Sequence, residues 1–286
     1  MKLSTEISSA ARLVGEEKAV ELIARAGFTA WDFSMFQFWR LDKPTQTVPP
    51  IDHPMCNGDY LAFARKLRHI GEEYGITCNQ SHAPFPVRIP AIRDVLKRCI
   101  ECTAVAGGKV CVIHPDNNKT AAENAEMYLE LLPFAKDHGV KIATENMWNW
   151  DKEKDEACFA ACASPKSFCE HIDIVGDPYL VACLDIGHAE MRGQDTSAVE
   201  LIHALGHRIA ALHLHDNDKW KDTHAMPFTM DIDFIPIMAA LREVGYAGDV
   251  TLECGTHLKS CTSETVLIGL TEMANTARRL AAMLTD

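Results

Sequence analysis

Three acidic residues and one histidine fall at the ends of short apolar runs. Glu145 lies in Ile-Ala-Thr-Glu-Asn (142–146), Asp185 in Cys-Leu-Asp-Ile-Gly-His (183–188), His215 in Leu-His-Leu-His-Asp (212–216), and Glu253 closes Thr-Leu-Glu (251–253). Three carboxylates and one imidazole form a hard, mostly oxygen shell that suits Mn2+, Mg2+ or Co2+ and can also take Zn2+. A cation placed beside a carbonyl oxygen stabilises an enolate, and two carboxyl groups near it can act as base and acid. The plainer alternative for each residue is a strand-end side chain that caps the next helix or pairs on the surface.

Other candidates surround these four. His82 in Ser-His-Ala-Pro-Phe (81–85), His114 in Val-Ile-His-Pro-Asp (112–116) and His188, three residues after Asp185, also follow apolar runs. His82 and His114 would either hold a second metal or bond substrate or a ligand carboxylate, and the latter is favoured. His213 shares the strand parity of His215, one layer deeper, and is expected to support a ligand more than to be one. Asp233 precedes a helical run whose free backbone donors it can cap. Of the tryptophans, Trp148 is the first choice to cover the apolar C–H face of a sugar.

Residues at eight strand ends reach one another only if the strands converge. Apolar runs at 2–7, 30–33, 76–81, 109–114, 140–145, 181–185, 209–215 and 249–253 alternate with segments of helical period at 16–26, 59–74, 91–106, 121–138, 164–174, 196–205, 233–244 and 263–284. Gly27, Gly75, Gly108, Gly139 and Gly248 stand just before strands, where helices end. Eight strand–helix units predict a single (β/α)8 TIM barrel over residues 1–286, with active-site residues at the C-terminal ends of the strands. The long, proline-bearing, aromatic stretch 34–58 reads as an active-site loop.

Composition narrows the partners. A formal charge of -12 with no basic run argues against nucleic acid. The first residues lack an apolar h-region, and no apolar stretch approaches the roughly 18 residues a membrane span needs, so a cytoplasmic protein without membrane contact is expected. The eleven cysteines lie largely within apolar periodic segments, and the lone C-x-x-C, Cys99 and Cys102, has no second pair at zinc-site spacing. Reduced, packing thiols are expected.

The strand-end motifs resemble the xylose-isomerase-like barrel superfamily, which includes ketose 3-epimerases, inosose-modifying enzymes, hydroxypyruvate isomerases and endonuclease IV. The resemblance spans the whole chain. It implies one divalent ion, Mn2+ first, on Glu145, Asp185, His215 and Glu253, with Glu145 and Glu253 removing and returning a proton next to a chelated carbonyl. It further implies substrate contacts from His188 and from Lys221, which stands where the epimerases carry arginine. His82 and His114 resemble zinc ligands of the nuclease branch, whose Asp-x-His pair falls at Asp231-Ile-Asp233, with a carboxylate replacing the imidazole. The expected function is a metal-dependent sugar or cyclitol epimerase or isomerase. The alternatives are a phosphoesterase resembling endonuclease IV, an inosose-type dehydratase and, last, a barrel that only binds. The absence of a Gly-rich phosphate loop favours a neutral small sugar as partner, and exposed helix faces would permit a homo-oligomer.

Overall fold

Apolar, β-branched runs bounded by helix terminators give strands, and the intervening amphipathic segments give helices that cover them. The computed structural model describes residues 1–39, 41–42, 44–49 and 51–285. Its strands are β1 (Leu3–Thr5), β2 (Ala30–Ser34), β3 (Thr77–His82), β4 (Val110–Val112), β5 (Lys141–Glu145), β6 (Asn149–Asp151), β7 (Glu156–Cys158), β8 (Leu180–Asp185), β9 (Ile209–His213) and β10 (Val250–Leu252). Its α-helices are α1 (Ser8–Val14), α2 (Glu16–Ala26), α3 (Tyr60–Glu73), α4 (Ile92–Ala106), α5 (Ala121–Asp137), α6 (Pro165–Asp173), α7 (Ile186–Ala189), α8 (Ala198–Leu205), α9 (Phe234–Glu243) and α10 (Val266–Thr285).

Strands β2-β3-β4-β5-β8-β9 form one parallel sheet, and β1 pairs in parallel with β10. Parallel bridges Glu6–Asp32 and Leu214–Leu252 join these two pieces and close the ring into a (β/α)8 barrel. All eight expected strands are present, with each end within two residues of the expected bound. The expected helices are present as well. The short helices α1 and α7 were not anticipated, nor was an antiparallel hairpin of β6 and β7 inserted after β5.

Local chemistry sets the boundaries. Capping boxes start α5 (Thr120 with Glu123) and α8 (Ser197 with Glu200), while Ser164 caps α6 ahead of Pro165. Gly27 ends α2 at φ 101°, which a side chain would disfavour. The main apolar core lies between strands and helices and includes Ile23, Leu67, Ile100, Leu131, Phe168, Leu201, Leu241 and Leu270. A smaller cluster gathers Val112, Ala143, Val181, Cys183 and Ala211 from β4, β5, β8 and β9. No helix among the described residues is long and apolar enough to cross a membrane.

Tyr128 of α5 ties this core to the functional end. Its hydroxyl is buried within hydrogen-bonding distance of the Ile113 carbonyl (3.1 Å) and Thr144 Oγ1 (2.7 Å), each next in sequence to a candidate site residue. Tyr128→Phe should lower the unfolding free energy by about 1–2 kcal/mol in urea denaturation, because it leaves buried polar groups unpaired. An unchanged midpoint would show that this bond does not hold the two strand ends.

Candidate active site

The C-terminal ends of the strands bring ten titratable side chains into one buried cluster. Glu145, Asp185 and His213 are the last residues of β5, β8 and β9, and His82 is the last of β3. Glu253 directly follows β10, and His114 lies two residues beyond β4. His188 is on α7, where Asp185 caps the helix by accepting from the His188 amide at 2.7 Å. His215, Asp222 and His224 come from the segment after β9. Asp216 holds this segment in place by accepting from the backbone amides of Asn217, Thr229, Met230 and Ile232.

His213 stands at the centre. Its Nδ1 faces Glu145 Oε1 at 3.0 Å and Glu253 Oε2 at 3.3 Å, and its Nε2 is 3.7 Å from Asp32 Oδ2. Gln80 Nε2 donates to that same Asp32 oxygen at 2.9 Å. On one side, His82 Nε2 meets His114 Nε2 at 2.7 Å, His114 Nε2 is 3.1 Å from Glu145 Oε2, and His82 Nδ1 is 3.3 Å from Glu253 Oε1. On the other side, Asp222 Oδ2 accepts from His188 Nε2 at 3.3 Å and His224 Nε2 at 3.2 Å, while His215 Nε2 lies 3.1 Å from Asp185 Oδ1.

Glu145, Asp185 and Glu253 share a potential four-residue metal group with His213, whereas His215, expected as the fourth ligand, lies 3.1 Å from Asp185 Oδ1 and falls in a neighbouring potential group. His213 pairs in register with Asp185, and β9 ends there. Beyond that point parity no longer carries His215 over the same centre. It stacks on His224 with ring centroids 4.1 Å apart and joins His188, Asp222 and His224 in a separate potential group. Gly187 makes room for it, since a Cβ there would lie 1.8 Å from His215 Cε1. His82, His114 and Glu145 form a further group.

Other expectations sort out plainly. Trp148 lines the cavity and meets Trp150 and His188 edge-on. Lys221 is exposed and does not line the cavity, so the substrate role expected of it has no support in its placement; its neighbour Asp222 does line the cavity. Asp231 and Asp233 are exposed, and Asp233 caps α9 by accepting from the Ile235 amide at 3.0 Å. An Asp-x-His pair does line the cavity, Asp222-Thr223-His224, with Asp222 and His224 in its wall. Sequence reading missed Asp222 and His224, and the signal was the Asp-x-His spacing itself.

Burial and charge set the electrostatics. Burial pushes the Glu145 carboxyl up, but His213 and His114 override it and hold the group well below the usual carboxylate range. Glu253 is likewise lowered against its burial by His213, His82 and His224. Burial pulls the His188 and His213 imidazoles down, yet their acidic neighbours raise both well above the ordinary value. His224 is raised to about 10, chiefly by Asp222 and Glu253 acting against burial. For His114 burial wins and the pKa falls.

The cluster also fits a bound cation. Glu145 Oε2, Asp185 Oδ2, Asp222 Oδ1 and His82 Nδ1 are buried without an aligned hydrogen-bond partner. Unsatisfied buried groups are costly, and several in one place mark a site completed by something else. Beside it opens a cavity of about 460 Å3, lined by the apolar Phe36, Phe85, Val87 and Trp148 together with His82, His114, Glu145, His188, Asp222, His224 and Glu253. Phe36 is the contribution of the 34–58 loop; Phe38 and Trp39 pack in the core instead.

Residues 20–279 match the xylose isomerase-like TIM barrel family, and the chain belongs to it. It is 25% identical to the uncharacterized protein MJ1311 of Methanocaldococcus jannaschii, over 90% of this chain and 85% of that one. Among solved structures it is similar to a D-tagatose 3-epimerase-like protein (TM-score 0.67, 23% identity, covering 96% of this chain and 98% of that one). It is also similar to the D-allulose 3-epimerase of Methylomonas sp. in complex with D-allulose (TM-score 0.68, 15% identity, covering 99% and 96%). At these identities the structural likeness establishes the fold.

The raised imidazoles have a consequence for stability. His188, His213 and His224 hold protons more tightly when folded than in the unfolded chain, so between about pH 6.5 and 10 the folded state binds more protons and loses stability as pH rises. In chelator, the melting temperature should fall steadily across that window. A flat profile would mean that these histidines are not protonated in the folded cluster.

Proposed function

We propose that this chain is a metal-dependent epimerase or isomerase of a small ketose or cyclitol, with a divalent ion, Mn2+ first, held by Glu145, Asp185, His213 and Glu253. The observation that carries the reading is the convergence of two carboxyl groups from different strands, Glu145 and Glu253, on one imidazole beside a half-apolar cavity. When bound, the cation would supply Lewis-acid stabilisation of negative charge on a substrate oxygen.

The remaining steps belong to the side chains. Held below the usual carboxylate range, one glutamate takes the proton next to the carbonyl and the other returns one to the opposite face. Trp148, Phe36 and Phe85 cover C–H surface and exclude water, while His82, His114 and His188 are placed to bond hydroxyl groups. Asp32 orients His213 through Nε2, as carboxylates commonly do behind metal-bound imidazoles.

A second reading, metal-assisted phosphoester hydrolysis, is favoured by the two flanking groups, His82/His114/Glu145 and His188/His215/Asp222/His224, which one ion does not need. Metal stoichiometry separates the two. One ion per chain supports proton transfer; two or three, together with phosphatase activity, support hydrolysis.

The direct test incubates metal-reconstituted protein with ketoses, aldoses and inososes in D2O and follows deuterium at carbon by NMR. Deuterium entry with new stereoisomers is expected, and Glu145→Gln or Glu253→Gln should each cut the rate by about 10²–10⁴-fold while the fold is kept. Near-normal turnover in either variant would sink the mechanism. Asp32→Asn should weaken metal binding by about 10–100-fold in competition with a chromogenic chelator; unchanged affinity would remove Asp32 from the orienting role.

A further inference from the structure

Glu253 borders a second cavity, separate from the one already described. It encloses about 250 Å3 and is lined by Glu6, Ser8, Ser9 and Arg12 from the first strand–helix unit, by Gly255, Thr256 and Lys259 after β10, and by Phe36, His224 and Glu253. Phe36, His224 and Glu253 line both spaces, so the same carboxyl group faces two chambers.

The floor of this second chamber is built around a buried acid. Glu6 is 4% exposed, and one oxygen, Oε2, accepts from Ser8 Oγ (2.5 Å) and from the Ser9 amide (3.0 Å). The other oxygen, Oε1, is buried with no hydrogen-bond partner. No Lys, Arg or His among the described residues is recorded within ion-pair distance of it, and Arg12 turns instead to the Ser8 carbonyl and Ser9 Oγ. The first oxygen thus serves the start of α1, while an unpaired buried carboxyl oxygen such as the second is costly. Gly255 packs directly against this floor, since a Cβ at that position would lie 2.0 Å from Ser9 Oγ and 3.0 Å from Glu6 Oε1.

A free acceptor beside two hydroxyl groups suits a neutral, hydroxyl-bearing chain. We propose that this chamber is a second arm of the substrate site and that Glu6 Oε1 accepts a hydroxyl from the polyol end remote from the reacting carbon. Glu6 then selects substrates by length: a chain that ends at Glu253 leaves Oε1 unpaired, whereas a longer one satisfies it. The inference rests on the reading of Glu253 as a substrate-facing residue and adds the part of the substrate that the 460 Å3 cavity does not see. A hydrogen bond to a charged or strongly polar acceptor is worth about a tenfold change in affinity.

The test uses binding and not turnover. Erythritol, xylitol and sorbitol are titrated by saturation-transfer NMR into metal-loaded wild type and Glu6→Met, a side chain of similar length that offers a hydroxyl neither a donor nor a strong acceptor. Wild type should bind sorbitol about tenfold more tightly than erythritol, and Glu6→Met should lose that gain while binding erythritol as before. If Glu6→Met does not fold, Glu6→Asp, which withdraws the oxygen by one methylene, should lose the same gain. No length dependence in wild type, or an undiminished one in the variant, would overturn the proposal. Length-dependent binding without deuterium exchange would instead overturn the epimerase reading and leave the subsite standing.

Discussion

Charge compensation around His213 is the constraint on which the barrel mouth depends. Glu145 and Asp185 are fully buried, Glu253 is 8% exposed and Asp32 1%. Four acids in so little space would repel one another and pay heavily for lost hydration unless cationic partners stood between them. His213 is the only imidazole placed within ion-pair distance of three of the four, and His82, His114, His188, His215 and His224 close the remaining gaps. Without a cation the balance is struck by protons on imidazoles; with one, metal charge can replace them, so protonation, metal occupancy and stability of the mouth are linked.

The fold makes this density possible. Each of β3, β5, β8, β9 and β10 ends at or next to a titratable residue, and parallel register brings those ends to one level. Beneath them a chain of neutral groups runs across the barrel: Ser4 to Asn79, Asn79 to Thr251, Thr251 to Gln80, Gln80 to Asp32. These bonds fix Asp32 without adding charge, which gives His213 a rigid support on the side away from the cavity.

Much of this was legible in the sequence, for physical reasons that also explain the failures. The eight strands and their helices follow from periodicity and from capping residues such as Thr120, Ser164 and Ser197, which act locally. Glu145, Asp185 and Glu253 were found because strand ends converge in a closed barrel whatever the detailed register. The choice between His213 and His215 was not local. It turned on where β9 stops and on how the next segment folds over Asp216, and strand parity cannot be extended past a strand's last residue. Asp222 and His224 were missed for a related reason: they sit in an irregular segment held by side chain-to-backbone bonds, where spacing from the strand carries no direction. The β6–β7 hairpin is three residues a side, too short for an alternating pattern to declare itself.

The two glutamates at the centre are not equivalent. Glu145 is packed between His82, His114 and His213 with 0% exposure and borders only the larger chamber, whereas Glu253 retains 8% and borders both. A carboxyl group enclosed by imidazoles exchanges its proton through them, while one at a cavity edge can exchange with water whenever the cavity is open. In the proposed two-acid transfer this asymmetry would have a direction: a proton placed on Glu145 would be retained for return, and one placed on Glu253 would be diluted by solvent. On that reading the two faces of a substrate would differ in the access of water as well as in geometry, with Phe36 lining both chambers beside Glu253.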